Sequence, residues 1–166
     1  MKISEYMAKV TAASSTGEYV GRDMVLGLDC SEAATPAAKP GDYTYVGVHV
    51  EDYGAKLEAS TEDKSYAYEG DSTIKTSTKR TFQITGQDYI SDDFMDFIRS
   101  FAVKFGKGSA VQRGYVYFHN GTKKGEKGTM TIIVNSDGSG AASSTADVDV
   151  ELKSCGPVEE YTYSAE

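Results

Sequence analysis

The chain has 166 residues, and its 25 acidic and 17 basic side chains give a formal net charge of −8 at pH 7. This acidic balance argues against a protein that grips a nucleic-acid phosphate backbone. Because a membrane-spanning helix needs about 20 apolar residues in a row, and MKISEYMAK at the N-terminus has no apolar signal core, we expect neither membrane binding nor a cleaved export peptide. The length suits a single domain over residues 1–166.

The first 50 residues combine a polar start with short apolar alternations. Residues 1–20 are mixed and polar, which predicts a flexible N-terminal arm. RDMVLGLD (22–29) and YTYVGVHV (43–50) alternate apolar side chains with others, and a period of two predicts a β-strand for each. The small-residue segment 31–41 between them predicts a loop.

Residues 52–77 form a long polar segment with few apolar anchors. A loop or extended hairpin of this length is uncommon in a small domain and is usually functional or disordered. The sequence leaves open a merely mobile loop, but it favours an arm that becomes ordered against a neighbouring subunit. The candidate contact residues of this long polar loop are Tyr53, Lys56, Tyr66, Tyr68 and Ile74.

The segment SDDFMDFIRSFAVKFG (91–106) has the clearest helical period in the chain. Ser91 suits the N-cap, Lys104 lies near the negative end of the helix dipole, and Gly106 can close the last turn. We therefore predict one α-helix over about 91–105, flanking a β-structure. Its predicted packing face consists of Phe94, Phe97, Ile98, Phe101 and Phe105.

The remaining segments read as strands, so the predicted fold is mainly β, a sandwich or barrel. Strands are expected at 79–86, 111–119, 129–134 and 145–153, and residues 154–166 are expected to form a C-terminal extension or an edge strand. In the strand at 145–153 the acidic residues alternate with apolar ones. They are either one solvated face or the lining of a channel, and these candidates are Asp147, Asp149 and Glu151.

Residues capable of catalysis are few. The two histidines, His49 and His119, and the two cysteines, Cys30 and Cys155, show no spacing typical of a nucleophilic pair or a metal site. Two reduced, unrelated thiols are the simplest interpretation, and a disulfide would need Cα atoms within about 7 Å. We expect no enzyme activity, no cofactor and no metal.

The run KRTFQITGQDYISDDFMDFI (79–98) resembles the major tail tube proteins of long-tailed, non-contractile phages, with the closest likeness to the TP901-1-like group. A GKG after the helix, a tyrosine-rich strand and a GTMTIIVNSDG hairpin follow in the same order, so that the resemblance extends over residues 43–153.

The resemblance implies a tail-tube fold and a structural virion protein that forms hexameric rings, stacked into a hollow tube. Such a tube encloses the tape measure protein, conducts double-stranded DNA without sequence preference, and meets tail tip (initiator) and tail terminator proteins. Assembly in the host cytoplasm and residence in the phage tail follow from it. The alternatives are the inner tube of a contractile injection or type VI secretion system, and an immunoglobulin-like adhesion or decoration module.

Overall fold

The computed structural model describes residues 1–165. The helices are α1 (Ile3–Lys9), α2 (Asp93–Arg99) and α3 (Phe101–Lys104), with short 3₁₀ turns at Gly21–Asp23, Pro40–Asp42 and Gly108–Val111. The strands are β1 (Met24–Leu28), β2 (Thr44–Tyr45), β3 (Val50–Asp52), β4 (Lys56–Tyr66), β5 (Gly70–Gln87), β6 (Gln112–His119), β7 (Lys124–Ser139), β8 (Asp147–Ser154) and β9 (Glu159–Thr162). The prediction of a mainly β fold is confirmed.

These strands form one sheet in the order β2-β1-β6-β7-β8-β5-β3, with β4 added to β5 and β9 added to β7. A flat sheet would place β2 and β3 about 29 Å apart, at roughly 4.8 Å per strand spacing. Residues 46–49 join them, and such a connection spans about 17 Å at most. The sheet must therefore curl, and it forms a half-barrel.

The connection between β2 and β3 also corrects the strand predicted at 43–50. Only Thr44–Tyr45 and Val50–Asp52 are strand, and they lie at opposite ends of the sheet path. Val46 is buried, whereas His49 has a positive φ of 57°, which turns the chain before β3. The apolar alternation is real, but the segment crosses the opening of the half-barrel instead of following one strand.

The main core lies on the concave side of the sheet, where α2 is packed. Phe94, Met95 and Ile98 from α2 and Val103 from α3 contact apolar residues of β1, β5, β6, β7 and β8. Asp92, instead of Ser91, caps α2: its carboxylate accepts a hydrogen bond from the backbone N–H of Met95 at 3.2 Å.

The predicted continuous helix over 91–105 is wrong, because the helix breaks at Ser100. Ser100 has extended backbone (φ −61°, ψ 141°), ends α2 and precedes α3. At 3.6 residues per turn, a straight helix would place Val103 about 180° away from Phe94. The break lets Val103 enter the core, and it turns Phe101 and Phe105 outward, to 77% and 70% exposure. These two residues are therefore not part of the packing face, whereas Phe94, Ile98 and the half-buried Phe97 contact the core.

A second, smaller core lies on the convex side of β1 and β6, and it changes the interpretation of residues 1–20. Ile3 of α1 is fully buried there beside Val116 and Phe118, and Ile3 N–H donates to the carbonyl of Tyr43 at 2.9 Å. The flexible arm predicted from residue 1 is thus wrong for residues 3–9, because the apolar surface of β1 and β6 gives α1 a packing site. Strand β9 pairs with β7 and lies within residues 154–166, the segment predicted as an extension or edge strand. Residue 166 of this segment lies outside the described residues.

Candidate assembly interface

A long two-stranded hairpin replaces the polar loop predicted at 52–77. β4 and the first half of β5 pair antiparallel from Lys56 opposite Thr81 to Tyr66 opposite Gly70, and every residue from 55 to 79 is exposed. Threonine and tyrosine suit strands, but both faces of the hairpin are exposed to solvent. The sequence of the segment therefore lacks the alternation of apolar and polar residues that marks a strand with one buried face. For this reason the sequence predicts a loop.

The hairpin extends about 36 Å from the sheet, at roughly 3.3 Å per residue over the length of β4. A β-bulge interrupts it where the register shifts between Ser60 and Thr61, and the Thr76 hydroxyl donates to the carbonyl of Ser60 at 3.0 Å. An isolated two-stranded hairpin is only marginally stable in water. This hairpin therefore has the properties of a segment that gains stability from a partner.

Most of the predicted contact residues lie on this hairpin. Tyr68 at the turn is 99% exposed, and Lys56, Tyr66 and Ile74 are also exposed along the strands. Leu57, at 62% exposure, is a further apolar residue of the hairpin that the sequence reading missed. It could have been found as an apolar residue isolated in a polar strand.

Tyr53 does not belong to the hairpin, contrary to the prediction. Its ring packs against the main core, and its hydroxyl donates to the carbonyl of Val46 across the opening of the half-barrel. Burial raises the pKa of Tyr53 to about 12, so the phenol remains a neutral donor. The side chain connects the segment after β3 to the crossing segment of its own chain.

The base of the hairpin is fixed to the sheet by an ion pair. Arg80 donates to both carboxylate oxygens of Glu126 on β7, at 2.6 and 2.9 Å, and its guanidinium lies 5.5 Å from the ring centre of Phe82 and 5.4 Å from that of Tyr117. The Tyr115 hydroxyl donates to the same carboxylate at 3.1 Å. This bidentate contact holds the side chain of Arg80, at the base of the hairpin, against β7.

The predicted acidic side chains share the convex face of the sheet at β8. Val148, Val150 and Leu152 point into the core, and Asp147, Asp149 and Glu151 alternate with them on the opposite face. Their partners on β5 are polar: Glu151 lies opposite Gln83, and Asp149 lies opposite Thr85. The Gln83 side-chain amide donates to Asp149 at 2.6 Å. This strip of β5 and β8 is a polar, mildly acidic surface.

The histidines and cysteines have structural roles or none. His119 Nδ1 accepts hydrogen bonds from the backbone N–H groups of Gly121 and Thr122, and the His49 ring stacks on Tyr89 at 4.2 Å. Both cysteines are free. Burial raises the pKa of the Cys30 thiol to about 12.

Residues 1–165 contain neither a helix that could cross a membrane nor a group of three or more histidine, cysteine, aspartate or glutamate side chains that could hold a metal ion. A cleft of about 440 Å³ lies at the opening of the half-barrel between Tyr45 on one side and Glu51 and Tyr53 on the other. It is an open, polar groove where the sheet does not close. The surfaces that remain for function are the hairpin, the acidic strip and the outward phenylalanines.

Two solved structures with the same architecture come from gene transfer agent particles. One is a chain in the tail of an empty gene transfer agent particle, determined by helical refinement in C6 symmetry. It matches with a TM-score of 0.63 and 14% identity over 87% of this chain and 100% of that chain. This chain has the tail-tube fold. The virion of a native gene transfer agent particle contains a further match, with a TM-score of 0.58 and 13% identity over the same shares of the two chains.

No protein-family model and no curated protein matches the sequence. The tail-tube fold is therefore shown by the similarity of the structures alone, at sequence identities of 14% and 13%.

Proposed function

We propose that this chain is the tail tube subunit of a phage-like particle and that it assembles into hexameric rings stacked as a hollow tube. The observation that carries the proposal is the hairpin of β4 and β5, which extends about 36 Å at the spacing of a β-strand with all of residues 55–79 exposed. A segment of this length with no covered face is costly for a monomer and useful in an assembly. The same fold occurs in a tail of C6 symmetry.

A projecting hairpin suits ring formation because it gives a subunit two different surfaces. When the hairpin of one subunit contacts another surface of its neighbour, the interface is heterologous, and it closes into a ring if the rotation per subunit divides a full turn. The sheet edges of the isolated subunit, at β2 and β3, would also be covered in such a ring. A six-membered ring is the closure that we propose for this chain.

The convex strip of β5 and β8 is the surface that we assign to the lumen. It carries Asp147, Asp149 and Glu151, one basic residue, Lys153, whose ammonium group pairs with Glu151 at 3.2 Å, and short uncharged residues such as Thr85. An acidic lumen repels the phosphates of passing double-stranded DNA and lowers the chance that the DNA binds to the wall. The same lumen would enclose the tape measure protein during assembly.

The finer assignment is a siphophage tube of the TP901-1-like group, supported by the sequence resemblance over residues 43–153. It implies that a tail tip complex initiates the tube and that a terminator protein ends it. The tube would form in the host cytoplasm and remain in the virion tail. The protein acts by assembly and has no catalytic task in this proposal.

The test shortens the hairpin without disturbing the sheet. Residues 59–78 are replaced by Asn-Gly, because Glu58 lies opposite Lys79 and a two-residue turn closes such a pair. The full chain and the shortened chain are compared by sedimentation velocity and negative-stain imaging at increasing concentration, with and without tail tip complex. Circular dichroism and urea unfolding check that the shortened chain keeps its fold.

The proposal predicts tubes from the full chain and folded monomers from the shortened chain. Tubes from the shortened chain would show that the hairpin is dispensable. A full chain that remains monomeric in every condition, including with tail tip complex, would contradict the tail tube function itself.

A further inference from the structure

The outward-facing phenylalanines of α3 form an apolar surface that the core does not use. Phe101 and Phe105 lie one helical turn apart, their ring centres are 4.9 Å apart, and they are 77% and 70% exposed. Val103 between them points into the core. We call Phe101, Phe105 and the following Lys107 the α3 patch. A pair of large exposed aromatic rings on a short helix is typical of a contact surface.

The charge near this patch is positive. The segment from Ser100 to Val111 contains two lysines and no acidic residue. Lys104 is paired with Asp137 at 2.9 Å. Lys107 is exposed and has no ion pair within residues 1–165. The α3 patch therefore presents aromatic rings beside an available positive charge.

The tip of the hairpin has the complementary composition. Tyr66 and Tyr68 are exposed at the turn, Tyr68 to 99%, and the adjacent Glu69 and Asp71 are exposed and have no ion pairs in the part of the chain that the structure describes. We call Tyr66, Tyr68, Glu69 and Asp71 the hairpin tip. Since Tyr68 is almost fully exposed, the tip does not contact the patch of its own chain.

We propose that the hairpin tip of one subunit binds the α3 patch of a second copy of this chain. The tyrosine rings would pack on Phe101 and Phe105, and the acidic side chains would approach Lys107. Aromatic pairs of this kind prefer offset or edge-to-face contacts, and opposite charges at the rim orient the encounter. This inference rests on the proposed tube, for which it identifies the surface that receives the hairpin.

The contact is tested by disulfide crosslinking of full-length chains in which Cys30 and Cys155 are replaced by alanine. The double variant Y68C/F105C is oxidised with copper phenanthroline at assembly concentrations and separated on a non-reducing gel. The matched control Y68C/S15C has the same tip cysteine and a second exposed cysteine beside His119 and Thr122, at the end of β6 that is opposite to α3. The single variants Y68C and F105C show whether the same residue of two chains crosslinks to itself.

We expect Y68C/F105C to give a ladder of crosslinked oligomers at least tenfold more abundant than in Y68C/S15C, with the single variants remaining mostly monomeric. A ladder no stronger than that of the control would overturn the inference. A fast-migrating internally linked monomer would also overturn it, because the tip would then contact its own chain.

A charge exchange gives a second readout that does not depend on cysteines. E69K and K107E should each reduce assembly several-fold, and the combined variant should recover it. If both single variants assemble to the same extent as the unmodified chain, the proposed charge contact is wrong. Tubes of normal appearance without tip-to-patch crosslinks would overturn this inference and leave the tube function standing, whereas strict monomers in imaging would contradict the tube function.

Discussion

Arg80 and Glu126 form a bidentate ion pair at the point where the hairpin leaves the sheet. Their side chains retain only 14% and 21% exposure, and the carboxylate also accepts a hydrogen bond from Tyr115. The pair joins β5 to β7, which are separated by β8 in the sheet. Because the sheet is curled, side chains on its concave face can meet across an intervening strand. The contact therefore links the base of the hairpin to the curled part of the sheet.

Replacing Arg80 with alanine should destabilise the fold. Glu126 would be left without its partner in a largely buried position, and removing one member of such a pair costs about 3 kcal/mol. K79A is the matched control, since Lys79 is the exposed neighbour on the same strand, and it should change the free energy of unfolding by less than about 0.5 kcal/mol. Urea unfolding of the monomer measures both. Equal effects of R80A and K79A would show that the ion pair does not hold the hairpin base.

The break at Ser100 predicts opposite outcomes for two phenylalanines of the same helical segment. F94A removes a buried ring from the core and should lower the free energy of unfolding by about 4 kcal/mol. F101A removes an exposed ring and should change it by less than about 0.5 kcal/mol, while reducing assembly. Thermal and urea unfolding of both variants provide the comparison. A large loss of stability in F101A would indicate a continuous helix with Phe101 in the core.

Asp92 combines a helix cap with a cost of burial. Desolvation raises the pKa of this carboxyl. The hydrogen bond that it accepts from the backbone N–H of Met95 lowers the pKa, but by less. D92A should lose about 1 kcal/mol of stability because the cap is lost. D92N keeps an oxygen acceptor without the buried charge, so it should be at least as stable as the unmodified chain at pH 7.

The sign of the pH dependence follows from the raised pKa. Between the unfolded value near 3.8 and the higher folded value, the folded state binds more protons, so stability falls as the pH rises through this window. As the pH is raised from 3.5, the unfolding free energy of the unmodified chain should therefore fall relative to that of D92N. A difference that is constant with pH would rule out this burial cost.

The acidic strip gives a prediction about DNA in the assembled tube. D149K/E151K changes two convex-face residues whose neighbours on β8 point into the core, so the fold and the tubes should persist. If the strip lines the lumen, short double-stranded DNA should be retained in the variant tubes and released by salt. Co-sedimentation at 50 and 300 mM salt measures this, with E18K/E32K, which changes two exposed acidic residues outside the hairpin, as the charge-matched control. Equal DNA retention by both variants would place the strip outside the lumen.

The fold class and most strands could be predicted because one face of each strand is buried. Val148, Val150 and Leu152 make this visible in the sequence, and the polar residues between them mark the other face. The hairpin could not be predicted as strand, because both of its faces are exposed in the monomer. Without a buried face, the alternation that marks β8 is not visible in the hairpin.

The helix break and α1 depend on contacts distant in sequence. A period of 3.6 residues assigns Phe101 to the same helix face as Phe94. In the folded chain Val103 is buried in place of Phe101, and this requires the break at Ser100. Ile3 is buried by Val116 and Phe118, more than 100 residues away. Local patterns indicate which side chains are apolar, but the curvature of the sheet decides which of them find a core.

The most direct test of the tail tube function is imaging of the full chain, concentrated stepwise with and without tail tip complex, followed by rotational analysis of end-on views. We predict hollow tubes of uniform width whose rings have sixfold symmetry. A chain that remains monomeric throughout, or that forms solid fibres without a lumen, would contradict the account.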